Sequence, residues 1–238
     1  MADNASSFSS RIALVTGASR GIGRAAALAL AKAGAHVILV ARTVGGLEEV
    51  DDEIQKAGGT ATLVPLDLKD FPALDRLGAS IYERWGKLDA FFANAGVLGA
   101  LTPLSHLEPK VFQELLDVNL TANWRLIRSL DPLLRVSEAG RVLFVSSGAA
   151  RKHTPYWGGY AVSKAALESL ALTYAAECEG TKVRVNILNP GPLRTRMRAR
   201  AYPGEDPQSL APAEAATPLI LEMLSAANDK NGALVGLR

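Results

Sequence analysis

A tyrosine and a lysine stand four residues apart in the segment Tyr160-Ala-Val-Ser-Lys164, inside a stretch with helical spacing of apolar residues. Residues four apart on an α-helix lie on one face, one turn from each other. An ammonium about 4 Å from a tyrosine hydroxyl favours its ionised form by roughly 4 kcal/mol at an effective dielectric of about 20, and so lowers its pKa by up to about three units before burial subtracts. Such a hydroxyl could exchange a proton with a carbonyl or alcohol. A pair without this role would be an aromatic ring packed on a lysine stem.

Two serines precede that helix, at the end of an apolar and β-branched run. The run GRVLFVS covers residues 140–146 and is followed directly by Ser147. A hydroxyl at this place can donate a hydrogen bond to a carbonyl oxygen and stabilise its developing charge. Together these residue types would support hydride transfer to a carbonyl, with the proton supplied by the tyrosine.

A glycine-rich turn near the start of the chain indicates a nucleotide site. Residues 16–23 read TGASRGIG and lie between a strand pattern and an Ala-rich helical pattern. Glycine lets a phosphate approach the backbone closely, and the unpaired N–H groups of a helix N-terminus attract it. A tight connection could use the same residues, but the position between strand and helix is the one that a dinucleotide-binding turn requires.

These residues need a scaffold that brings strand ends together, and the rest of the chain predicts one. Apolar strand candidates alternate with helical patterns, which favours an α/β fold, a Rossmann-like doubly wound parallel sheet with helices on both faces. The expected strands are 11–16, 36–41, 60–66, 88–93, 140–146 and 182–188. The expected helices are 21–34, 44–57, 70–85, 109–130, 159–177 and 213–227.

Composition places the chain among ordinary soluble proteins. Of 238 residues, 48% are hydrophobic and 21% charged, with a net charge of +2, which gives no reason to expect nucleic acid or a membrane as partner. No signal-peptide pattern or membrane-length apolar run is present, so we expect a cytoplasmic protein. We expect a disordered polar tail over residues 1–10 and a single domain over 11–238. The single cysteine, Cys178, fits a small apolar role, and the three histidines show no metal-ligand spacing, so we predict no metal site.

Four motifs follow one another along the chain: Gly-x-x-x-Gly-x-Gly, the triplet Asn94-Ala95-Gly96, a serine, and Tyr-x-x-x-Lys. Through these motifs the sequence resembles the short-chain dehydrogenase/reductase family, and in particular its 3-oxoacyl-carrier-protein reductases. The resemblance runs from Arg11 to about Gly236 and implies a sheet of about seven strands. It favours Ser147 over Ser146, because Ser147 lies 13 residues before Tyr160. The catalytic set that it implies is Asn119, Ser147, Tyr160 and Lys164.

The cofactor expected from these residues is NADP(H), with NAD(H) less favoured. An acidic residue at the end of the second strand would bind the ribose 2′-hydroxyl and repel a 2′-phosphate, but this chain has Ala41 followed by Arg42. Arg20 can reach the same place, and guanidinium groups bind phosphate strongly. The cofactor-binding residues implied by the motifs are Gly17, Ser19, Arg20, Gly21, Ile22, Gly23, Arg42, Asp67, Leu68, Asn94, Ala95, Gly96, Tyr160, Lys164, Pro190, Gly191, Leu193 and Thr195.

The resemblance implies an NADP-dependent oxidoreductase acting on a small carbonyl or alcohol substrate, in the direction of ketone or aldehyde reduction. One hypothesis is an acidic or phosphate-bearing substrate, such as an acyl thioester on a carrier. The residues that add positive charge are Arg151, Lys152, His153 and the arginines at 194, 196, 198 and 200, near aromatic walls at Tyr156 and Trp157. The alternative, slightly preferred, is a solvated charged rim. The segment 193–212 is either a cover over the pocket or an ordinary connection.

Two further interpretations of the whole chain stay open at this stage. One is a non-catalytic NADP(H)-binding sensor or partner protein of the same fold, against which the intact Ser147, Tyr160 and Lys164 argue. The other is a sugar epimerase or dehydratase, whose chains are usually longer. The resemblance also implies a homodimer or homotetramer through the helices at 109–130 and 158–178.

Overall fold

Seven strands pair in parallel to form the central sheet of the computed structural model, which describes residues 8–237. The strands of the sheet are β1 Ile12–Thr16, β2 His36–Ala41, β3 Thr60–Pro65, β4 Ala90–Ala93, β5 Arg141–Val145, β6 Arg184–Asn189 and β9 Leu234–Gly236. Their spatial order is β3-β2-β1-β4-β5-β6-β9. The chain therefore starts in the middle of the sheet and winds outward to both sides, and the change of direction between β1 and β4 leaves a crevice at their carboxyl ends.

Helices cover both faces of this sheet, as the near-continuous hydrophobicity of the strands predicts. They are α1 Gly21–Lys32, α2 Val44–Lys56, α3 Phe71–Trp85, α4 Pro109–Leu116, α5 Ala122–Val136, α6 Gly158–Glu177, α7 Arg196–Ala201 and α8 Thr217–Leu224. On one face the apolar side chains of α3, α5 and α6 form one core with the strands. On the other face those of α1, α2 and α8 form a second core. The predicted fold class is confirmed.

The six expected strands are present with ends moved by at most two residues, and the differences lie in the helices. The predicted helix 109–130 is longer and is interrupted, because α4 and α5 are joined by a π-helical turn at Asp117–Thr121. The predicted helix 213–227 begins as a 3₁₀ turn at Ala213–Ala216 and ends at Leu224. The short apolar tail supplies the seventh strand, β9, whose residues Leu234–Gly236 pair with β6.

The segment 193–212 is folded rather than irregular. Strands β7 Leu193–Arg194 and β8 Ala211–Pro212 pair in parallel, and α7 lies between them. The Arg198 guanidinium stacks 3.7 Å from the Tyr202 ring and forms an ion pair of 2.6 Å with Glu205. These contacts give the segment a defined shape over one end of the sheet.

Most of the predicted polar tail, residues 1–7, lies outside the described residues. Within residues 8–10, Phe8 is buried, and its N–H donates to the Ala33 carbonyl over 3.2 Å. Between residues 8 and 237 no helix is long and apolar enough to cross a membrane.

Candidate active site

The glycine turn connects β1 to α1 through a cramped backbone. Gly17 has a φ of 66°, which L side chains rarely adopt. A Cβ on Gly23 would overlap the carbonyl oxygen of Gly17, so only glycine allows the turn to pack this closely. Arg20 stands at the N-cap of α1 and makes no side-chain capping bond, and no acidic residue occupies the first turn of the helix. The first N–H groups of α1 are therefore available to an anion.

Asn94 joins the ends of the two central strands beside this turn. Its Nδ2 donates to the Thr16 carbonyl over 2.9 Å, and the N–H groups of Asn94 and Ala95 each donate to the Thr16 hydroxyl over 3.1 Å. These bonds fix the ends of β1 and β4 relative to each other, at the point where the strand order reverses. The structure thus places the triplet 94–96 against the glycine turn, as expected.

Two arginines and an aspartate surround the outer part of the crevice. Arg20 and Arg42 are exposed, and in the described part of the chain neither forms an ion pair with a carboxylate. Asp67, after β3, accepts a hydrogen bond of 2.9 Å from the Lys69 N–H. The arrangement offers uncompensated positive charge to a phosphate at the end of β2.

On the opposite side of the crevice, the chain after β6 turns back over the strand ends. Gly191 has a φ of 65°, and Leu193 is buried. The Thr195 hydroxyl caps α7 by accepting from the Arg198 N–H over 3.2 Å. Its methyl group lies close to Gly21, 3.7 Å from where a Cβ would stand. The two cofactor motifs that are farthest apart in sequence are thus in contact range.

Tyr160 and Lys164 lie on one face of α6 and are both buried. The Lys164 Nζ is 5.9 Å from the centre of the Tyr160 ring and donates to the Val145 carbonyl over 2.8 Å. An ammonium carries three N–H groups, so two remain for a ligand. The Tyr160 hydroxyl lies 4.0 Å from the Met197 sulfur.

The charge states differ from the expectation based on the tyrosine–lysine pair. Burial raises the pKa of Tyr160, and hydrogen bonding with Ser147 offsets only part of the rise. Burial likewise lowers the pKa of Lys164 to about 8, against a smaller opposing effect of the Glu168 carboxylate. The expected lowering of the tyrosine pKa by Lys164 is absent, and the Lys164 ammonium lies over the Tyr160 ring and donates to a backbone carbonyl. The Tyr160 hydroxyl is therefore protonated at neutral pH.

The two serines at the end of β5 face different partners. Ser146 is buried, and its hydroxyl donates to Glu168 over 2.6 Å. Ser147 caps the 3₁₀ turn Gly148–Ala150, and its oxygen accepts from the Ala149 N–H over 3.2 Å. The Ser147 hydroxyl faces Tyr160, whereas the hydroxyl proton of Ser146 is bound by Glu168.

Asn119 lies in the π-helical turn and is completely buried, not on a helix surface. Its Oδ1 accepts from the Val97 N–H over 2.8 Å, and its Nδ2 donates to the Val97 carbonyl and the Ser163 hydroxyl over 2.9 Å each. The Asn119 carbonyl accepts from Asn123 Nδ2. The side chain thus ties the chain after β4 to α6. A π-turn is often found at functional sites.

One cavity of about 1290 Å³ runs across the carboxyl ends of the strands and joins these groups. All the predicted site residues line it except Gly23, which packs behind the turn, and Asn119, which is buried behind Lys164 and Ser163. Among residues 8–237 no cluster of three histidine, cysteine or acidic side chains could hold a metal ion.

Of the apolar side chains at the inner end of the cavity, sequence reasoning predicted Trp157 but not Met197, Tyr202 or Leu98, and the predicted Tyr156 is exposed and does not line the cavity. Trp157 packs edge-on to Tyr160, with ring centres 6.0 Å apart, and lies 5.7 Å from the Tyr202 ring. Met197 and Leu98 complete this wall. The spacing of Met197 and Tyr202 carries no signal, because they face the cavity only through the position of α7.

The positive charges near the inner end are partly neutralised. Arg151 pairs with Glu168 over 3.0 Å and does not line the cavity, and Arg198 pairs with Glu205. Lys152 and Arg196 do line it and are exposed. Two of the charges on which the acyl-thioester hypothesis depended are thus already paired.

Comparison with known proteins agrees with this architecture. Residues 11–206 match the family described as short chain dehydrogenase, and the chain belongs to this family of oxidoreductases. It is 41% identical over 217 residues to the oxidoreductase YciK of Escherichia coli K12, which covers 90% of this chain and 86% of YciK. A fatty acyl-CoA reductase of Acinetobacter baylyi is 33% identical over 207 residues, covering 87% of this chain and 70% of that protein. A short chain dehydrogenase of Shigella flexneri, solved in complex with NADP, superposes with a TM-score of 0.94 at 38% identity over 98% of each chain.

Proposed function

We propose that the protein transfers hydride between NADP(H) and a ketone or aldehyde, or the corresponding alcohol, with Tyr160 as general acid and base. The observation that carries the proposal is the convergence of Ser147, Tyr160 and Lys164 on the same cavity that the glycine turn opens. The bound cofactor would supply the hydride, and the chain would supply binding, orientation and the proton.

In this proposal each side chain has a distinct task during carbonyl reduction. Ser147 donates a hydrogen bond to the carbonyl oxygen, and Tyr160 gives it a proton as negative charge develops. The raised pKa of Tyr160 keeps the hydroxyl protonated before the reaction, as a proton donor requires. Lys164 holds the nicotinamide ribose with the N–H groups that Val145 does not occupy. Asn119 acts from behind, by holding the chain after β4 against α6.

The preference for NADP(H) over NAD(H) rests on Arg20 and Arg42. Both line the outer part of the cavity, and the end of β2 carries no carboxylate that would repel a 2′-phosphate. The NADP bound to the Shigella flexneri relative supports the same choice. The glycine turn fits a pyrophosphate, because it leads into the N-terminus of α1, where no side chain caps the first N–H groups.

The substrate end of the cavity suits an apolar carbonyl compound. Its wall consists of Trp157, Tyr202, Met197 and Leu98 around Tyr160. An acyl thioester stays within the proposal, since Lys152 and Arg196 can meet its anionic carrier and the Acinetobacter baylyi relative is a fatty acyl-CoA reductase.

The test is to measure NADPH and NADH binding by fluorescence and then to follow NADPH oxidation with ketones, aldehydes and 3-oxoacyl thioesters. We expect tighter binding of NADPH and turnover that Tyr160→Phe removes. Stronger binding of NADH would contradict the role of the two arginines. Tight NADPH binding without turnover of any carbonyl compound would favour the non-catalytic cofactor-binding alternative.

We also propose that the chain forms a homodimer or homotetramer through α4, α5 and α6. Trp124 on α5 and Val162 and Leu172 on α6 are more than 40% exposed, and a subunit contact through these helices would bury them. Light scattering or analytical ultracentrifugation at several concentrations tests this, and a monomer at all concentrations would refute it.

A further inference from the structure

Glu168 is a buried carboxylate on α6, one turn beyond Lys164, and does not line the cavity. Its Oε1 accepts from the Ser146 hydroxyl over 2.6 Å, and its Oε2 accepts from the Arg151 Nε over 3.0 Å. Burying a carboxylate costs free energy unless hydrogen bonds and an opposite charge compensate. Both of its partners lie in the segment that follows β5.

These two partners bracket Ser147. Ser146 precedes it directly, and Arg151 follows the 3₁₀ turn that Ser147 caps. The Ser146 N–H also donates to the Leu188 carbonyl over 2.8 Å, which anchors the backbone at this point. One carboxylate therefore ties both sides of the Ser147 turn to the helix that carries Tyr160 and Lys164.

We propose that Glu168 is a positioning residue, which holds the Ser147 hydroxyl in register with Tyr160 and places a negative charge one turn from Lys164. It acts through Ser146 and Arg151 and touches neither substrate nor cofactor. Its positioning role rests on the proposed function, because it concerns the same three side chains. Its electrostatic role can be measured without turnover.

The charged surroundings of Lys164 make that measurement specific. On its own helix it is near Tyr160 and Glu168, and from the segment after β5 comes Arg151, which pairs with Glu168. The other elements packed around it contribute uncharged groups, namely the Val145 carbonyl, Gly96 and Asn119. Glu168 raises the pKa of Lys164 against the larger effect of burial. Removing Glu168 and removing its partner Arg151 should therefore act in opposite directions.

The first experiment titrates Lys164 by NMR in the whole protein labelled with ¹³C-lysine, with Lys164→Met to assign the resonance. Glu168→Gln keeps the shape and removes the charge, so we expect the pKa of Lys164 to fall by on the order of one unit. Arg151→Gln leaves the carboxylate less neutralised and should leave that pKa unchanged or raise it. Both variants break the same ion pair, so a purely structural role would move Lys164 in the same direction in both. That result, or no shift in Glu168→Gln, would overturn the electrostatic role.

The second experiment measures NADPH-dependent turnover in Ser146→Ala, which removes one hydrogen bond and no charge. We expect kcat to fall about tenfold, with NADPH affinity and the Lys164 titration unchanged. In Glu168→Gln the alkaline limb of the pH–activity profile should move to lower pH, because Lys164 loses its proton at a lower pH than in the wild type. Glu138→Gln, an exposed carboxylate paired with Lys182, is the matched control and should behave as wild type.

A wild-type kcat in Ser146→Ala would overturn the positioning role. Thermal unfolding of each variant shows whether a loss of activity reflects loss of the fold. If the wild type binds NADPH but reduces no carbonyl compound, the proposed function fails, and the Lys164 titrations alone then decide the role of Glu168.

Discussion

The outer and inner ends of the cavity are lined by different parts of the chain, backbone at the outer end and side chains at the inner end. At the outer end, where we place the adenosine and phosphates, the walls are backbone: the turn after β1, the ends of β2, β3 and β4, and the N-terminus of α1. At the inner end the walls are large side chains, with Trp157 at the start of α6 and Met197 and Tyr202 in and after α7.

The difference shows which demands leave a mark in a sequence. A backbone that must take a positive φ or pass close to another strand accepts only glycine, as at Gly17 and Gly23. An apolar wall accepts almost any large apolar residue, so it imposes no fixed spacing. Sequence motifs therefore predict the residues of the outer end, whereas the residues of the inner end depend on where the fold places α7.

Tyr160 stands where the two ends meet, and its removal should have the largest effect. Tyr160→Phe deletes the hydroxyl that we propose as proton donor but keeps the ring that packs on Trp157. We expect kcat to fall by about 10³-fold, or about 4 kcal/mol, while NADPH affinity stays within about twofold. Steady-state kinetics and fluorescence titration measure the two quantities. A variant with more than a tenth of the wild-type kcat would remove Tyr160 from the mechanism.

Lys164 couples the site to stability, with a definite sign. Its pKa falls from 10.5 in the unfolded chain to about 8 in the folded protein. Below pH 8 the folded state carries a buried positive charge, which lowers the free energy of unfolding by about 3 kcal/mol. Between pH 8 and 10.5 the unfolded state binds more protons than the folded state, so the free energy of unfolding rises again as the pH rises.

Lys164→Met should therefore be about 3 kcal/mol more stable than wild type at pH 7 and close to equal at pH 10.5. Urea unfolding of both proteins at several pH values gives the difference between their free energies of unfolding. A difference that does not change with pH would show that Lys164 keeps an ordinary pKa in the folded state.

Much of this molecule follows from the sequence because local patterns and the fold agree. Six strands and the parallel doubly wound sheet were predicted by apolar runs alternating with helical spacing, and β-branched runs buried on both faces leave few alternatives. The sites at Gly17, Asn94 and Tyr160 follow from motifs that the family resemblance set in order. Their grouping around one cavity agrees with the predicted set, whereas their chemical roles stay predictions.

What the sequence did not predict depends on contacts between distant segments. The π-turn at Asp117–Thr121 adds one residue to a helical turn, which no periodicity distinguishes from a regular helix. The pKa of Tyr160 depends on how deeply it is buried and on its hydrogen bond with Ser147. Glu168 was not predicted, because a carboxylate in a helical pattern is expected on the surface unless its buried partners are known.

A substitution of Arg42 tests cofactor recognition at the outer end of the cavity alone. Arg42→Ala should weaken NADPH binding by about 2 kcal/mol, or about 30-fold, because a charge-assisted bond to the 2′-phosphate is lost, and should leave NADH binding unchanged. Fluorescence titration with both cofactors measures the change. Arg76→Ala, an exposed arginine on α3, is the matched control. Equal losses for NADPH and NADH would mean that Arg42 does not recognise the 2′-phosphate.

Trp157 tests whether the inner end is separable from the outer end. Trp157→Ala removes the ring that stands between Tyr160 and Tyr202, so an apolar substrate loses about 1–2 kcal/mol of contact and its KM should rise about tenfold. NADPH affinity should not change, since Trp157 lies away from the glycine turn. Trp85→Ala, at the end of α3 and away from the cavity, controls for the loss of a tryptophan. If NADPH affinity falls as much as the KM rises, the two ends act as one site, and Trp157 contributes to cofactor binding as well as to substrate choice.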